Sequence, residues 1–250
     1  MFNNFIGGFK MNIDKVGEYS ESKVDILDNS VYINTSINKN KFKCKIELII
    51  KRVVDITLSI IGIIALIPIT ILVWVSRIAL NENNDPLFYE QIRIGKNGKL
   101  FKMYKYRSMV VGADEKLEEY LRENEDARKE YFEYKKLKND PRITKVGKFI
   151  RKTSIDEFPQ FINVLKGDMS LVGPRPYLPR EKEDMGECYR YIIQTRPGIT
   201  GFWQVSGRND VSFNERLKMD CDYVENKSLI LDLKIFIKTF TNILKKEGAM

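Results

Sequence analysis

Apolar residues are unevenly spread along this chain, and its longest apolar block raises the first question. Ile56 to Ser76, ITLSIIGIIALIPITILVWVS, carries no charged side chain. As a straight α-helix this run spans about 31 Å at ~1.5 Å per residue, close to one hydrocarbon thickness. Its length and purity predict insertion into a membrane rather than burial in a soluble core. Two features argue against a simple crossing. Pro68 lies inside the run and donates no amide, which predicts a break or kink. The halves on either side of it are then only about 18 Å and 12 Å long. Both flanks are also basic: Lys45, Lys51 and Arg52 precede the run, and Arg77, Arg93 and Lys96 follow it. The positive-inside rule puts both flanks on the cytoplasmic side, so a helix that dips in and returns is favoured. A kinked ordinary span is the alternative, because membrane helices tolerate proline.

Beyond the run, DPLFYEQIRIGKNGKLFKMYKYRSMV alternates apolar and polar residues around GKNG, Gly95 to Gly98, which predicts a β-hairpin. Asp114 to Lys138 is dense in Glu, Lys, Arg and Tyr and lacks Gly and Pro, the pattern of a solvated helix with i,i+4 charge pairs. Residues 139 to 211 are punctuated by Gly and Pro. The closing SLILDLKIFIKTFTNILKK sets Leu229, Leu233, Phe236, Phe240 and Ile243 at helical spacing between lysines. That amphipathic helix either packs on the domain or lies in the membrane interface. The expected fold is α+β: a small, mostly helical domain with a short β-hairpin, anchored by an N-terminal re-entrant helix-break-helix. The expected parts are a weakly structured tail over 1–47, the membrane helix over 48–80 and a cytoplasmic domain over 81–245.

Composition narrows the chemistry. The 250 residues include no histidine, which excludes Ser-His-Asp and Cys-His catalysis. Three scattered cysteines form no CxxC pair, so neither a disulfide framework nor a zinc site is expected. Any metal would take oxygen ligands, which suits Mg²⁺. A net charge of +8 suits anionic partners such as phosphorylated substrates, nucleic acid or an anionic membrane face. No RRM, helix-turn-helix or zinc pattern supports nucleic acid.

The densest cluster of candidate residues is TSIDEFPQFINVLKGDMSLVGPRP, Thr153 to Pro176. Ser154 and Glu157 have the spacing of a capping box, and acids suit a first helical turn. Pro159 delays the helix, which leaves Asp156 and Glu157 at its mouth rather than on its flank. Adjacent carboxylates there suit a nucleophile with a neighbour that binds metal or steers protons. Arg175, held between Pro174 and Pro176, presents a planar fork suited to phosphate oxygens or to a salt bridge in a rigid turn. Arg196-Pro197-Gly198 and Gly207-Arg208-Asn209 repeat the theme of arginine at a stiff turn. Trp203 and Gln204 between them suit a base, a sugar or plain burial.

These motifs resemble a known family. KRVVDITLSIIG, YKYRSM, DPRITKVGKFIRKTSIDEFPQFINVLKGDMSLVGPRP, RPGITGFWQVSGRN and DLKIF together are similar to the bacterial sugar transferases, monotopic phosphoglycosyl transferases, over about residues 48–245. The resemblance implies transfer of sugar-1-phosphate from a UDP-sugar to undecaprenyl phosphate at the cytoplasmic face of the inner membrane. It implies release of UMP and a ping-pong path through a covalent phosphosugar. It makes Asp156 the nucleophile and a Mg²⁺ ligand, with Glu157 as its partner acid. Lys105, Arg151 and Arg175 fall on positions that line the family's site, and Arg208 is a nucleotide or phosphate contact. The family breaks its membrane helix at a Ser-Pro pair; here Ile67-Pro68 keeps the proline and not the serine. Membrane lipid is an expected partner, nucleic acid is not, and a homodimer stays open. A non-catalytic membrane-anchored scaffold is the alternative reading.

Overall fold

In the computed structural model, which describes residues 30–82, 84–206 and 211–245, the apolar run is the middle of one long helix. This helix, α1, covers Ser30–Ala79. It begins inside the stretch expected to be a weakly structured tail; residues 1–29 lie outside the described residues. Ile46–Ala79 is long and apolar enough to cross a membrane. Pro68 sits within it, and the helix continues on both sides in place of the expected separation into two. Proline removes one amide donor from the ladder, and packing on either side compensates. Leu66 and Val73 are buried in a common cluster, and the Thr70 hydroxyl lies 2.6 Å from that of Tyr106.

The hairpin forms as its alternation predicts. Strand β1, Phe88–Ile94, pairs antiparallel with β2, Leu100–Tyr106, from Phe88 opposite Tyr106 to Ile94 opposite Leu100. Asn97 and Gly98 close the turn with positive φ of 57° and 76°. The charged stretch that follows is two helices rather than one: α2, Ala113–Glu123, and α3, Glu125–Tyr134. Asn124 between them is extended, and its side-chain amide donates to the Tyr120 carbonyl. This favoured capping residue competes locally with helix continuation.

Then come α4 (Lys145–Lys152), α5 (Gln160–Lys166), β3 (Ser170–Val172), α6 (Cys188–Ile192), β4 (Gly198–Thr200), α7 (Phe202–Ser206), α8 (Phe213–Asn226) and α9 (Leu229–Lys245). Strands β3 and β4 form a second small sheet, a parallel pair that the sequence pattern did not announce. It depends on glycine: a Cβ on Gly173 would meet the Arg196 carbonyl oxygen at 2.5 Å, and one on Gly198 the Gly173 nitrogen at 2.1 Å. The main core joins Met103 of β2, Val164 of α5, Leu171 of β3, Val205 of α7, Val224 of α8 and Ile235 of α9.

Helix α9 presents Ile235 to that core, but Leu233 and Phe240 of the anticipated stripe are exposed, together with Ile230 and Ile237. Helix α1 is likewise two-faced. Asp55, Ser59, Leu66, Val73 and Arg77 are buried at spacings of three- and four-residue multiples, while Ile60, Ile61, Ile64, Ile67, Ile71 and Trp74 are exposed. A Cβ on Gly62 would lie 2.6 Å from the Phe161 ring, so glycine sets how closely α1 approaches α5. From Lys51, bonded to Asp232, to Arg77, bonded to the Pro86 carbonyl, the seam covers roughly 39 Å of helix.

Candidate active site

Pro159 caps α5, so that helix starts only at Gln160 and leaves Ile155–Glu157 as a separate 3-10 turn. The two acids therefore stand at a helix mouth, as the position of the proline predicts. The capping box does not form. Ser154 makes no side-chain cap; its carbonyl accepts from the Glu157 amide at 3.3 Å. Ser154 is left-handed, with φ of 55°. A non-glycine residue there stores on the order of 1 kcal/mol of strain, a common feature of functional turns.

Asp156 is buried, 7% exposed, and faces a cavity of about 520 Å³. Lys105, Arg151, Glu157 and Arg175 line the same cavity, so strand β2, the end of α4, the 3-10 turn and the Gly-Pro-Arg-Pro segment converge on one space. Arg208 lies outside the described residues, and Pro68 sits apart in α1. The Lys105 ammonium donates to Glu157 Oε1 at 2.9 Å, and Arg151 Nε donates to the Ser108 hydroxyl at 2.9 Å. Among the described residues Asp156 has no ion-pair partner.

The neighbouring carboxyls are driven apart. Burial raises Asp156 to about 6; the Glu157 charge adds to this, and Lys105 and Arg151 only partly oppose it. Burial also pushes Glu157 upward, but the Lys105 ammonium, with Arg175 and Arg93, outweighs it and holds that group low. At neutral pH Asp156 is thus an ionised, basic and unpaired carboxylate beside a carboxylate occupied by lysine. Such a pair can divide nucleophile and electrostatic roles.

The metal question turns on donors. Among the described residues no three Asp, Glu or Cys side chains converge. The described residues therefore offer one or two carboxylates beside each other, not a cage. Magnesium is commonly held in this way, with substrate phosphates and water completing its shell.

Part of this wall was not expected from the motifs. Arg93 and Arg216, 7% and 3% exposed, line the cavity beside Trp203. Tyr89, Gln91 and Arg93 alternate along β1 and all reach the cavity, so period two carried a signal for Arg93. Nothing local distinguishes Arg216 from other helical arginines. Asp220, on the same helix, accepts from the Arg175 amide at 3.0 Å and the Tyr177 hydroxyl at 2.8 Å, and so positions the Gly-Pro-Arg-Pro segment. Asp114, Tyr131 and Lys135, from the stretch read as merely solvated, also reach the cavity.

The cavity sets paired acids among arginines and lysines, an arrangement suited to binding phosphorylated groups. Comparison with known proteins specifies it. The family model described as bacterial sugar transferase matches residues 46–246. The undecaprenyl-phosphate galactose phosphotransferase of Salmonella typhimurium is 48% identical over 200 residues, 80% of this chain and 41% of that protein. The exopolysaccharide production protein ExoY of Sinorhizobium fredii is 41% identical over 199 residues, 80% of this chain and 87% of that protein. The UDP-glucose:undecaprenyl-phosphate glucose-1-phosphate transferase of Klebsiella pneumoniae is 36% identical over 216 residues, 81% of this chain and 42% of that protein. The chain belongs to the bacterial sugar transferase family. It spans about two fifths of the length of the first curated relatives it matches.

Proposed function

We propose that this protein transfers sugar-1-phosphate from a UDP-sugar to undecaprenyl phosphate through a covalent intermediate on Asp156. The carrying observation is the unpaired, buried Asp156 carboxylate facing a cavity whose charged lining is mainly cationic. In the first half-reaction a carboxylate oxygen attacks the sugar-bearing phosphorus. The bond from that phosphorus to the bridging oxygen breaks, and UMP departs with the electron pair. In the second, a phosphate oxygen of undecaprenyl phosphate attacks the same phosphorus and frees the carboxylate. Undecaprenyl diphosphate-sugar results. Lys105 and Arg151 lie where they offset charge gathering on the transferred phosphoryl group, and Lys105 keeps Glu157 ionised. A magnesium ion, when bound by Asp156 and substrate oxygens, would neutralise diphosphate charge.

The exposed face of α1 lies in lipid in this reading, with both its ends on the cytoplasmic side of the inner membrane. The long seam supports this. A helix held by polar contacts to the domain from Lys51 to Thr70, and packed on it at Val73, favours this over a perpendicular crossing. The exposed apolar residues of α9 suit the interface. The test is UMP release by purified protein with undecaprenyl phosphate, Mg²⁺ and a panel of UDP-sugars, together with intact mass after donor alone. A hexose-phosphate adduct mapping to Asp156 is expected. UMP release without any adduct in single-turnover mixing would replace the covalent path with direct transfer.

A further inference from the structure

The cavity lining around Trp203 carries an unmet demand for hydrogen-bond acceptors. Among the described residues, the buried side-chain polar atoms without a partner are Arg93 Nε, Arg175 Nε, Arg216 Nε, Trp203 Nε1 and Asp220 Oδ1. Four of the five are N–H donors, and all four belong to residues that line the cavity. Orphaned buried donors are rare because each costs about 1–3 kcal/mol. Four on one wall therefore point to an acceptor with several oxygens.

The four residues are also mutually arranged. The Arg175 and Arg216 guanidinium groups lie over the Trp203 ring, 5.6 Å and 5.4 Å from its centroid. Other bonds fix the arginines. Arg93 donates to the Pro176 carbonyl at 2.8 Å and to Gln91 Oε1. Arg216 donates to the Tyr134 carbonyl, and the Arg175 amide is held by Asp220. The opposing acids are Glu181, Asp220 and Glu157. Glu181 Oε2 accepts from the Leu178 amide and Glu157 is bonded to Lys105, so neither is a dedicated partner for the arginines. Burial, with Arg175 next in weight, lowers Arg93 to about 9 and Arg216 to about 10, the mark of cations crowded without enough counter-charge.

The geometry points to Arg93, Arg175, Arg216 and Trp203 as a second anion subsite, one that takes the phosphate of the departing nucleoside monophosphate. This assignment rests on the proposed reaction. A UDP-sugar has two phosphates, and only the sugar-bearing one meets the nucleophile. Lys105 is bonded to Glu157 beside the nucleophile, and Arg151 ends the helix that leads into the same turn, whereas Arg175 and Arg216 are gathered over Trp203. The transferred phosphoryl group thus sits at the first pair and the nucleotide phosphate at the second wall. Developing charge on the leaving group is then met by the fixed guanidinium groups gathered at Trp203.

Trp203 makes the subsite directly readable, because Trp74 is the chain's only other tryptophan. In the Trp74→Phe protein, UMP is expected to change Trp203 emission saturably, and uridine at equal concentration is not. Arg93→Gln and Arg216→Gln should each weaken UMP binding at least about tenfold, while Arg151→Gln changes it less than about threefold. Arg216→Lys keeps the charge but loses the Nε–H, and should fall between. It serves also if Arg216→Gln fails to fold, with the unfolding midpoint as control. Unchanged UMP affinity in folded Arg93→Gln and Arg216→Lys proteins, or a loss confined to Arg151→Gln, overturns the subsite. If the unsubstituted protein still releases UMP from a UDP-sugar in that case, the proposed reaction survives. If it releases none, that reading has failed on its own.

Discussion

The seam beneath α1 and the cavity around Asp156 are both built from buried charge, and they treat it in opposite ways. In the seam every such group is matched. Lys51 donates to the Val172 carbonyl and to Asp232, which also accepts from Tyr223. Arg52 spans the carbonyls of Val164 and Leu165. Asp55 accepts from the Ser170 hydroxyl and the Leu171 amide, and Arg77 donates to the carbonyls of Glu82, Asp85 and Pro86. In the cavity, among the described residues, Asp156 lacks an ion-pair partner and three arginines keep an orphaned Nε. Matched charge ties an element in place, because breaking it strands a partner in a dry site. Unmatched charge destabilises the empty site and is retained where a ligand completes it.

The sharpest way to break this contrast is Asp156→Asn. UMP release should fall by at least about a thousandfold, as expected when a covalent nucleophile is removed. The same substitution should make the protein more stable at neutral pH. Because burial raises Asp156 to about 6, its contribution to stability is full below the unfolded carboxyl value near 4 and is lost as pH rises through about 6. Above that, Asp156→Asn should raise the unfolding free energy by about 3 kcal/mol, measured by denaturant titration at pH 5 and pH 8. A lower midpoint at pH 8 would place Asp156 among the matched charges.

The next effect is kinetic. The rate of the donor half-reaction should fall about tenfold per unit as pH drops below about 6, because the protonated carboxyl cannot attack phosphorus. A stopped-flow profile flat to pH 5 would argue against this assignment.

On the seam side, Asp55→Ala strands the Leu171 amide and the Ser170 hydroxyl, and should cost about 2–3 kcal/mol in unfolding free energy. KM for the donor should change little in the folded fraction, and a large shift in KM would mean that the seam and the cavity are not separate devices. The smallest effect sharpens the scale. Lys102 and Glu90 form an exposed pair at 2.9 Å, and Lys102→Ala should leave the unfolding midpoint essentially unchanged.

Much of this was legible in the chain itself, where the cause is local. Period-two alternation around GKNG yields the hairpin, an uncharged run the long helix, and Pro159 the late start of α5 that puts Asp156 and Glu157 at its mouth. Motif likeness brought Lys105, Arg151, Glu157 and Arg175 to the site, and all of them line one cavity with Asp156. Local cues misled where long-range contacts outweighed them. Pro68 signals a break, yet α1 runs through it, held on both sides by Leu66, Thr70 and Val73 against a surface about 40–90 residues further along the chain. Ser154 and Glu157 have capping-box spacing, yet the backbone turns left-handed instead.

What the sequence by itself determined, then, is the long apolar helix, the hairpin and the late start of α5 that puts Asp156 and Glu157 at a helix mouth, because each follows from neighbours within a few residues. Only the tertiary structure decided which face of α1 meets the domain, which arginines share a wall, and which of two adjacent carboxyls carries the higher pKa. Each of these depends on burial and on charges brought together from distant segments, and the electrostatic energy of a group is set by its surroundings in space rather than along the chain.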